Sequence, residues 1–316
     1  MIEGGREPRG DATEMTDYGR TLQFGVFVTP TVELLGNTFE LAALADETGL
    51  DFVAVQDHPY QAKFLDSFSL MGTLLARTER VRVFPDVACL PLRPPAVMAK
   101  AAASLDVMSG GRFELALGAG AFWEAIGAMG GDVRTPGQAA TAVEEAVEVI
   151  RLMWSGERAV RSEGEYYRLD GVHPGPVPAH PMGIWLGVGG PRLLRALGRS
   201  ADGWVPSSSY FPPEVLPGMH AKIDAGAADA GRDPSSIVRA YNIFGRVGDT
   251  PSDTLFEGTA EQWVSQLTDL AVETGMDTFV FGTDGDDPAQ VRKFATDVAP
   301  AVRAAVDACR GVGTPA

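Results

Sequence analysis

Lysine, histidine and cysteine are scarce in this chain of 316 residues: four lysines, four histidines and two cysteines, Cys89 and Cys309. Two isolated cysteines supply no disulfide framework. The histidines lie far apart, and no CxxC, HxH or HExxH spacing marks a metal site. Acidic residues number 42 against 26 basic ones, a formal charge of -16. Without a basic run longer than a pair, that field repels nucleic acid. No apolar stretch approaches the roughly 18 residues of a membrane-spanning helix. The first twenty residues lack the apolar core of a signal peptide, and no GxSxG supports a serine hydrolase. The expectation is a cytoplasmic protein that binds no nucleic acid, membrane or metal and takes a small molecule as its partner.

What is present points to a large core. An apolar fraction of 45% with 22% charged residues belongs to a globular chain. Residues 1–20 are polar and aperiodic and read as a flexible tail. Residues 21–312 read as one domain. Short apolar runs recur at Phe24–Val28, Phe52–Gln56, Val81–Phe84, Phe113–Leu117, Ile184–Val188, Gly203–Val205, Ile237–Ile243 and Thr278–Phe281. Each is followed by a stretch of helical spacing, the cleanest being Pro136–Trp154, and Gly49 stands where a helix C-cap belongs. Runs apolar on both faces suit parallel strands covered by helices. Eight such units predict an α/β fold, a (β/α)8 TIM barrel with an insertion over 156–181. A doubly wound open sheet is the rival, but no GxGxxG follows the first run.

In such a barrel the chemistry sits at the C-terminal strand ends. Those ends carry Thr29, Asp57 with His58, Asp86 to Cys89, Gly118-Ala119-Gly120 through Glu124, Gly189 to Arg192, Ser207 to Ser209, Tyr241 with Asn242, and Thr283 with Asp284. His58 is the only histidine directly after a predicted strand. It is a proton or hydrogen-bond donor for a reacting oxygen, or else a plain loop residue. Asp57 would orient it or serve a helix N-terminus. The small Gly118, Ala119 and Gly120 admit a flat ring to the backbone. Phe122 and Trp123 would wall a pocket. Glu124 is either a substrate-side group or a helix-start carboxylate. Gly189-Gly190-Pro191 opens a helix whose free N–H groups suit an anion, and Arg192 adds charge or pairs with a surface acid. Arg93, Lys100, Arg192 and Arg195 are candidates to reverse the acidic field locally. Two carboxylates among Asp57, Asp86 and Glu124 would also suit a glycosidase.

The stretch from Phe24 to Ser208 resembles the luciferase-like, flavin- or deazaflavin-dependent oxidoreductases, which are TIM barrels. Gly49 to His58, Arg77 to Arg82, Leu90 to Pro95, Ala102 to Asp106, Ser109 to Phe113, Gly118 to Gly120, Gly189 to Arg192 and Ser200 to Trp204 carry the resemblance by order and spacing. It implies a ring near Val28-Thr29, His58, Asp86 and Gly118 to Gly120, with its phosphate on the backbone of Gly189, Gly190, Pro191 and Arg192. It implies a non-proline cis peptide within Phe84 to Asp86, or a cis Phe84–Pro85 bond instead. It implies an insertion, 156–181, that partly covers the pocket, and a homodimer. Asp57-His58 and the segment Gly118 to Trp123 look like the branch that uses coenzyme F420 as hydride carrier. The alternative is an FMN-dependent monooxygenase with a flavin reductase partner. Arginine outnumbers lysine 22 to four, as in high-GC bacteria that use F420. The F420 sugar-phosphate dehydrogenases carry glutamate where this chain has Ala121, which argues against glucose 6-phosphate as substrate.

Overall fold

The computed structural model describes residues 17–311. The first half runs Gln23–Val28 (β1), Leu35–Thr48 (α1), Phe52–Val55 (β2), Ser67–Arg77 (α2), Arg82–Pro85 (β3), Ala88–Cys89 (β4), Pro95–Ser109 (α3), Leu115–Gly118 (β5), Trp123–Ala128 (α4) and Pro136–Trp154 (α5). The second runs Val160–Glu163 (β6), Arg168–Val172 (β7), Ile184–Gly187 (β8), Pro191–Ser200 (α6), Gly203–Trp204 (β9), Leu216–Asp229 (α7), Val238–Phe244 (β10), Arg246–Val247 (β11), Glu257–Gly258 (β12), Ala260–Val272 (α8), Thr278–Gly282 (β13), Pro288–Lys293 (α9) and Ala299–Cys309 (α10).

Nine of these strands form one parallel sheet in the order β3-β2-β1-β13-β10-β9-β8-β5-β4. β3 and β4 are two pieces of one strand. The first pairs with β2 and bridges Val83 to Phe113, while the second pairs with β5. The sheet therefore closes into an eight-stranded α/β TIM barrel, as expected. The two pieces part at the cis Asp86–Val87 bond. That bond lies just past the stretch expected to hold it, and Phe84–Pro85 is not cis.

Alternation builds the interior. Phe52 and Ala54 point into the barrel with Phe27, Phe84, Ala116, Trp185, Ala240 and Val280, while Val53 and Val55 join the outer core under the helices. Both faces are dry, so the strands read as unbroken apolar runs. Phe52, Phe84 and Trp185 meet edge to face at 5.1–5.6 Å. Each such pair adds roughly 0.5–1.5 kcal/mol beyond area burial. Caps set the outer ring in register. Thr135 and Gln138 form a capping box at α5, and Thr259 and Gln262 repeat it at α8. Gly49 ends α1 at φ 82°, a left-handed conformation that disfavours residues with a Cβ.

Three expectations change. Of the predicted tail, residues 1–16 lie outside the described residues, but Asp17 to Arg20 are tied down. Tyr18 donates to Asp224 and lies under the Arg239 guanidinium, Arg20 pairs with Asp277, and Asp17 takes a two-point bond from Arg310. The 156–181 insertion contains the antiparallel hairpin β6–β7, held to α5 where Glu145 accepts from the amides of Glu165, Tyr166 and Tyr167. No residue of it lines the cavities at the barrel mouth. The last helix is not continuous: a wider π turn over Phe294–Val298 separates α9 from α10. Pro300 follows that turn and has no N–H to continue the ordinary ladder.

Candidate active site

Two adjoining cavities, about 800 and 660 Å³, open at the C-terminal ends of the strands. His58, Val87, Ala121, Gly187 and Phe211 line both. Thr29, Asp86, Phe122 and Asn242 line the first. Gly118, Ala119, Gly120, Trp123, Gly189, Gly190, Pro191 and Arg192 line the second, whose walls are mainly apolar. Residues scattered from Thr29 to Asn242 are thus one site. Glu124 lines neither cavity. It is exposed in the first turn of α4, the helix-start place, and leaves the substrate pocket it was expected to join.

His58 stands where the two cavities meet. Its Nδ1 is 2.6 Å from the Tyr60 hydroxyl. Phe122 approaches the imidazole edge-on at 5.6 Å. Burial pushes the imidazole below its usual pKa, against the pull of nearby Asp57, so the ring is neutral at pH 7. Burial pushes the Tyr60 phenol up, so it keeps its proton. We assign the phenol as donor, because it is the stronger hydrogen-bond acid and the imidazole lone pair the stronger base. Nε2 then carries the ring proton, and a neutral Nε2–H can donate to a substrate oxygen.

Asp57 does not orient His58. It is 3% exposed, and its two oxygens accept from Arg93 Nε and Nη2, both at 2.8 Å, from the Ser67 hydroxyl and from the Cys89 amide. Arg93 also reaches Asp66, the N-cap of α2, and lies over the Phe68 ring. A buried carboxylate with this fork pins α2, β4 and the turn after β4 together. Its hydrogen bonds go to these partners, and it acts on the imidazole only through its charge.

Glycine shapes the second cavity. A Cβ on Gly118 would stand 2.7 Å from Val87, and one on Gly187 would stand 2.9 Å from it. The Asp86–Val87 bulge therefore rests on two bare backbones. A Cβ on Gly189 would strike the Phe211 ring, which is fixed in place because Tyr241 donates to the Phe211 carbonyl at 2.6 Å. Gly190 is the N-cap of α6, and no side chain caps the amides of that first turn. Open amides at the start of a ten-residue helix suit an anionic group. Arg192 adds little charge there, because Glu144 holds its guanidinium at two points. The other proposed sources of positive charge are engaged or absent. Arg93 serves Asp57, Lys100 binds the Gly175 carbonyl, and Arg195 lines neither cavity.

The first cavity is polar at its base. Asp86 is 8% exposed and Asn242 4%. Burial pushes the Asp86 carboxyl up to about 7, against the opposing hydrogen bond of Asn242. Thr29 contributes backbone: its amide donates to Asp286 at 2.8 Å. Burial likewise raises Asp286, to about 6. Tyr60 and Phe211 escaped the sequence reading. Tyr60 stands only two positions after His58, a weak signal. Phe211 carried none.

Among the described residues, no group of three or more His, Cys, Asp or Glu side chains could hold a metal ion. No described helix is long and apolar enough to cross a membrane. The sequence profile of the luciferase-like monooxygenases matches residues 18–316. The chain belongs to that family.

Within the luciferase-like family, similar relatives include an F420-dependent glucose-6-phosphate dehydrogenase of Nocardia farcinica, 34% identical over 65% of this chain and 62% of that protein. A second, from Gordonia bronchialis, is 29% identical over 82% of this chain and 83% of its own. Among solved structures, an F420-dependent secondary alcohol dehydrogenase bound to an F420-acetone adduct superposes with a TM-score of 0.79 at 23% identity. It covers 90% of this chain and 99% of its own. That likeness supports the barrel fold.

Proposed function

We propose that this luciferase-like protein is an F420-dependent oxidoreductase that moves a hydride between the deazaflavin and a small organic substrate. The observation that carries the proposal is the position of His58. It stands at the seam between a glycine-walled cavity that ends on open helix amides and a polar cavity large enough for a small substrate. The F420-dependent relatives support the same cofactor. A cytoplasmic setting and a homodimer belong to this reading through the family resemblance.

The residues fit such a cofactor. Gly118 and Gly187 let the Val87 bulge seat close against their strands, which sets the wall a flat ring would lie on, and the first-turn amides of α6 suit its phosphate. When bound, F420 supplies a ring carbon that exchanges a hydride with a substrate carbon. His58 Nε2–H donates to the substrate oxygen and stabilises the negative charge that develops there. Tyr60 holds the imidazole in that tautomer. Phe122 and Trp123 restrict water on the open side.

The test is His58→Ala, followed by single-turnover F420 reduction or oxidation. The hydride step should slow at least about tenfold, the low end for a positioned proton donor, while F420 affinity stays within a few fold. A hydride step at the original rate removes His58 from the mechanism.

A further inference from the structure

Two polar atoms at the base of the first cavity have no hydrogen-bond partner: Asp86 Oδ2 and Asn242 Oδ1. Both residues are more than nine-tenths buried and both line the cavity. The Asn242 amide hydrogens face the Asp86 carboxyl, so the free atom of the amide is its carbonyl oxygen. Asn242 Oδ1 accepts, and Asp86 Oδ2 accepts in the ionised form of the carboxyl. A buried polar group left without a partner costs about 1–3 kcal/mol, a cost that a ligand bearing donors would relieve.

The walls above them have one dominant sign. Glu257 and Asp284 join Asp86 in lining this cavity. Among the described residues, Arg246 is its one guanidinium or ammonium group, and Glu257 is the register partner of Arg246 in the β11–β12 ladder. His58 is the other base, and it is held neutral. A concave site walled by carboxylates concentrates cations and repels anions. A phosphate dianion would approach against that field and meet the Asn242 carbonyl oxygen at its base.

Resting on the oxidoreductase reading for its role as the substrate cavity, we propose that this cavity binds a small cationic or neutral substrate. That substrate presents an N–H or O–H to Asp86 Oδ2 and Asn242 Oδ1. Amino alcohols and polyols fit that description, and phosphorylated or carboxylated sugars do not. The chain would then differ in substrate class from its relatives named for glucose 6-phosphate.

The test uses saturation-transfer NMR on the full chain, with and without F420, and three probes: 1-amino-2-propanol, 1,2-propanediol and glycerol 3-phosphate. The amine and the diol should bind saturably, and glycerol 3-phosphate at least about tenfold more weakly than the amine, a gap of roughly 1.4 kcal/mol. Asp86→Asn should weaken the amine more than the diol. The double charge reversal Glu257→Lys with Asp284→Lys should narrow the gap between amine and phosphate. Circular dichroism confirms that each variant is folded. Glycerol 3-phosphate binding as tightly as the amine, or no probe binding to folded protein, overturns the inference. Failure to bind F420 would instead count against the cofactor reading, and the probe titrations without F420 still report on the cavity.

Discussion

The Tyr60 hydroxyl lies 2.6 Å from His58 Nδ1. With the phenol donating, this bond stabilises the neutral ring and turns its N–H toward the substrate. Tyr60→Phe removes that support. The His58 pKa should rise, because the variant loses a bond made to the uncharged form. Activity that depends on neutral His58 should therefore start to fall at a higher pH on acidification. A net hydrogen bond of about 0.5–1.5 kcal/mol corresponds to a displacement of up to about one pH unit. The acidic limb of the rate profile measures it. A limb that does not move refutes the assignment.

Asp57 and Arg93 should behave as one unit for stability. Arg93→Ala strips the buried Asp57 carboxylate of its counter-charge, at a cost of about 3–5 kcal/mol, while Asp57→Ala leaves Arg93 only the exposed Asp66 as partner. The double variant should lose clearly less than the sum. Urea unfolding of the two singles and the double closes the cycle, and additive losses would contradict the pairing.

The glycine cradle can be probed by relief. Gly118→Ala sets a methyl against Val87, whose own methyl stands 2.7 Å from the new Cβ. It should weaken cofactor binding at least several-fold. Val87→Ala in the same chain removes the opposing methyl, and affinity should return toward the original value. Direct titration of both proteins decides it. No recovery would mean that the cradle does not act through Val87.

Asp86 should make stability fall with rising pH. Its folded-state pKa, about 7, stands above the ordinary 3.8. The protonated acid is tolerated, so this contribution is complete below about pH 4 and is lost as pH rises through about 7. Asp86→Asn lacks the titration. It should therefore gain on the original protein between pH 5 and pH 8 by something on the order of a few kcal/mol. Parallel unfolding at both pH values reads the difference, and equal slopes would contradict the burial argument.

The barrel was legible because both faces of each strand are dry. Phe52 to Val55 and Thr278 to Gly282 read as apolar runs without alternation, and the turns between runs and helices are marked by Gly49, Pro136 and Pro191. His58, the glycine pairs and the start of α6 were legible for the same reason: each sits where a strand hands over to a loop. Partnership was not legible. Asp57 stands next to His58 in the chain, yet its acceptor sites go to Arg93, Ser67 and Cys89, 10 to 36 residues on and brought close by the packing of α2 and β4 beside β2. Glu144 claims Arg192 from the neighbouring helix in the same way. The hairpin within 156–181 was visible as an excursion, but its direction was set by Glu145 on α5 and could not be read from its own residues.

A paired equilibrium titration decides which cofactor the cavity takes. The protein, stripped of bound small molecules, is titrated at one ionic strength with oxidised F420 and separately with FMN, followed by absorbance and fluorescence. F420 should bind at about micromolar Kd or tighter, near 8 kcal/mol, with FMN at least about tenfold weaker. The reverse preference would contradict the cofactor reading and place the chain with the oxygen-using, FMN-dependent members of its family.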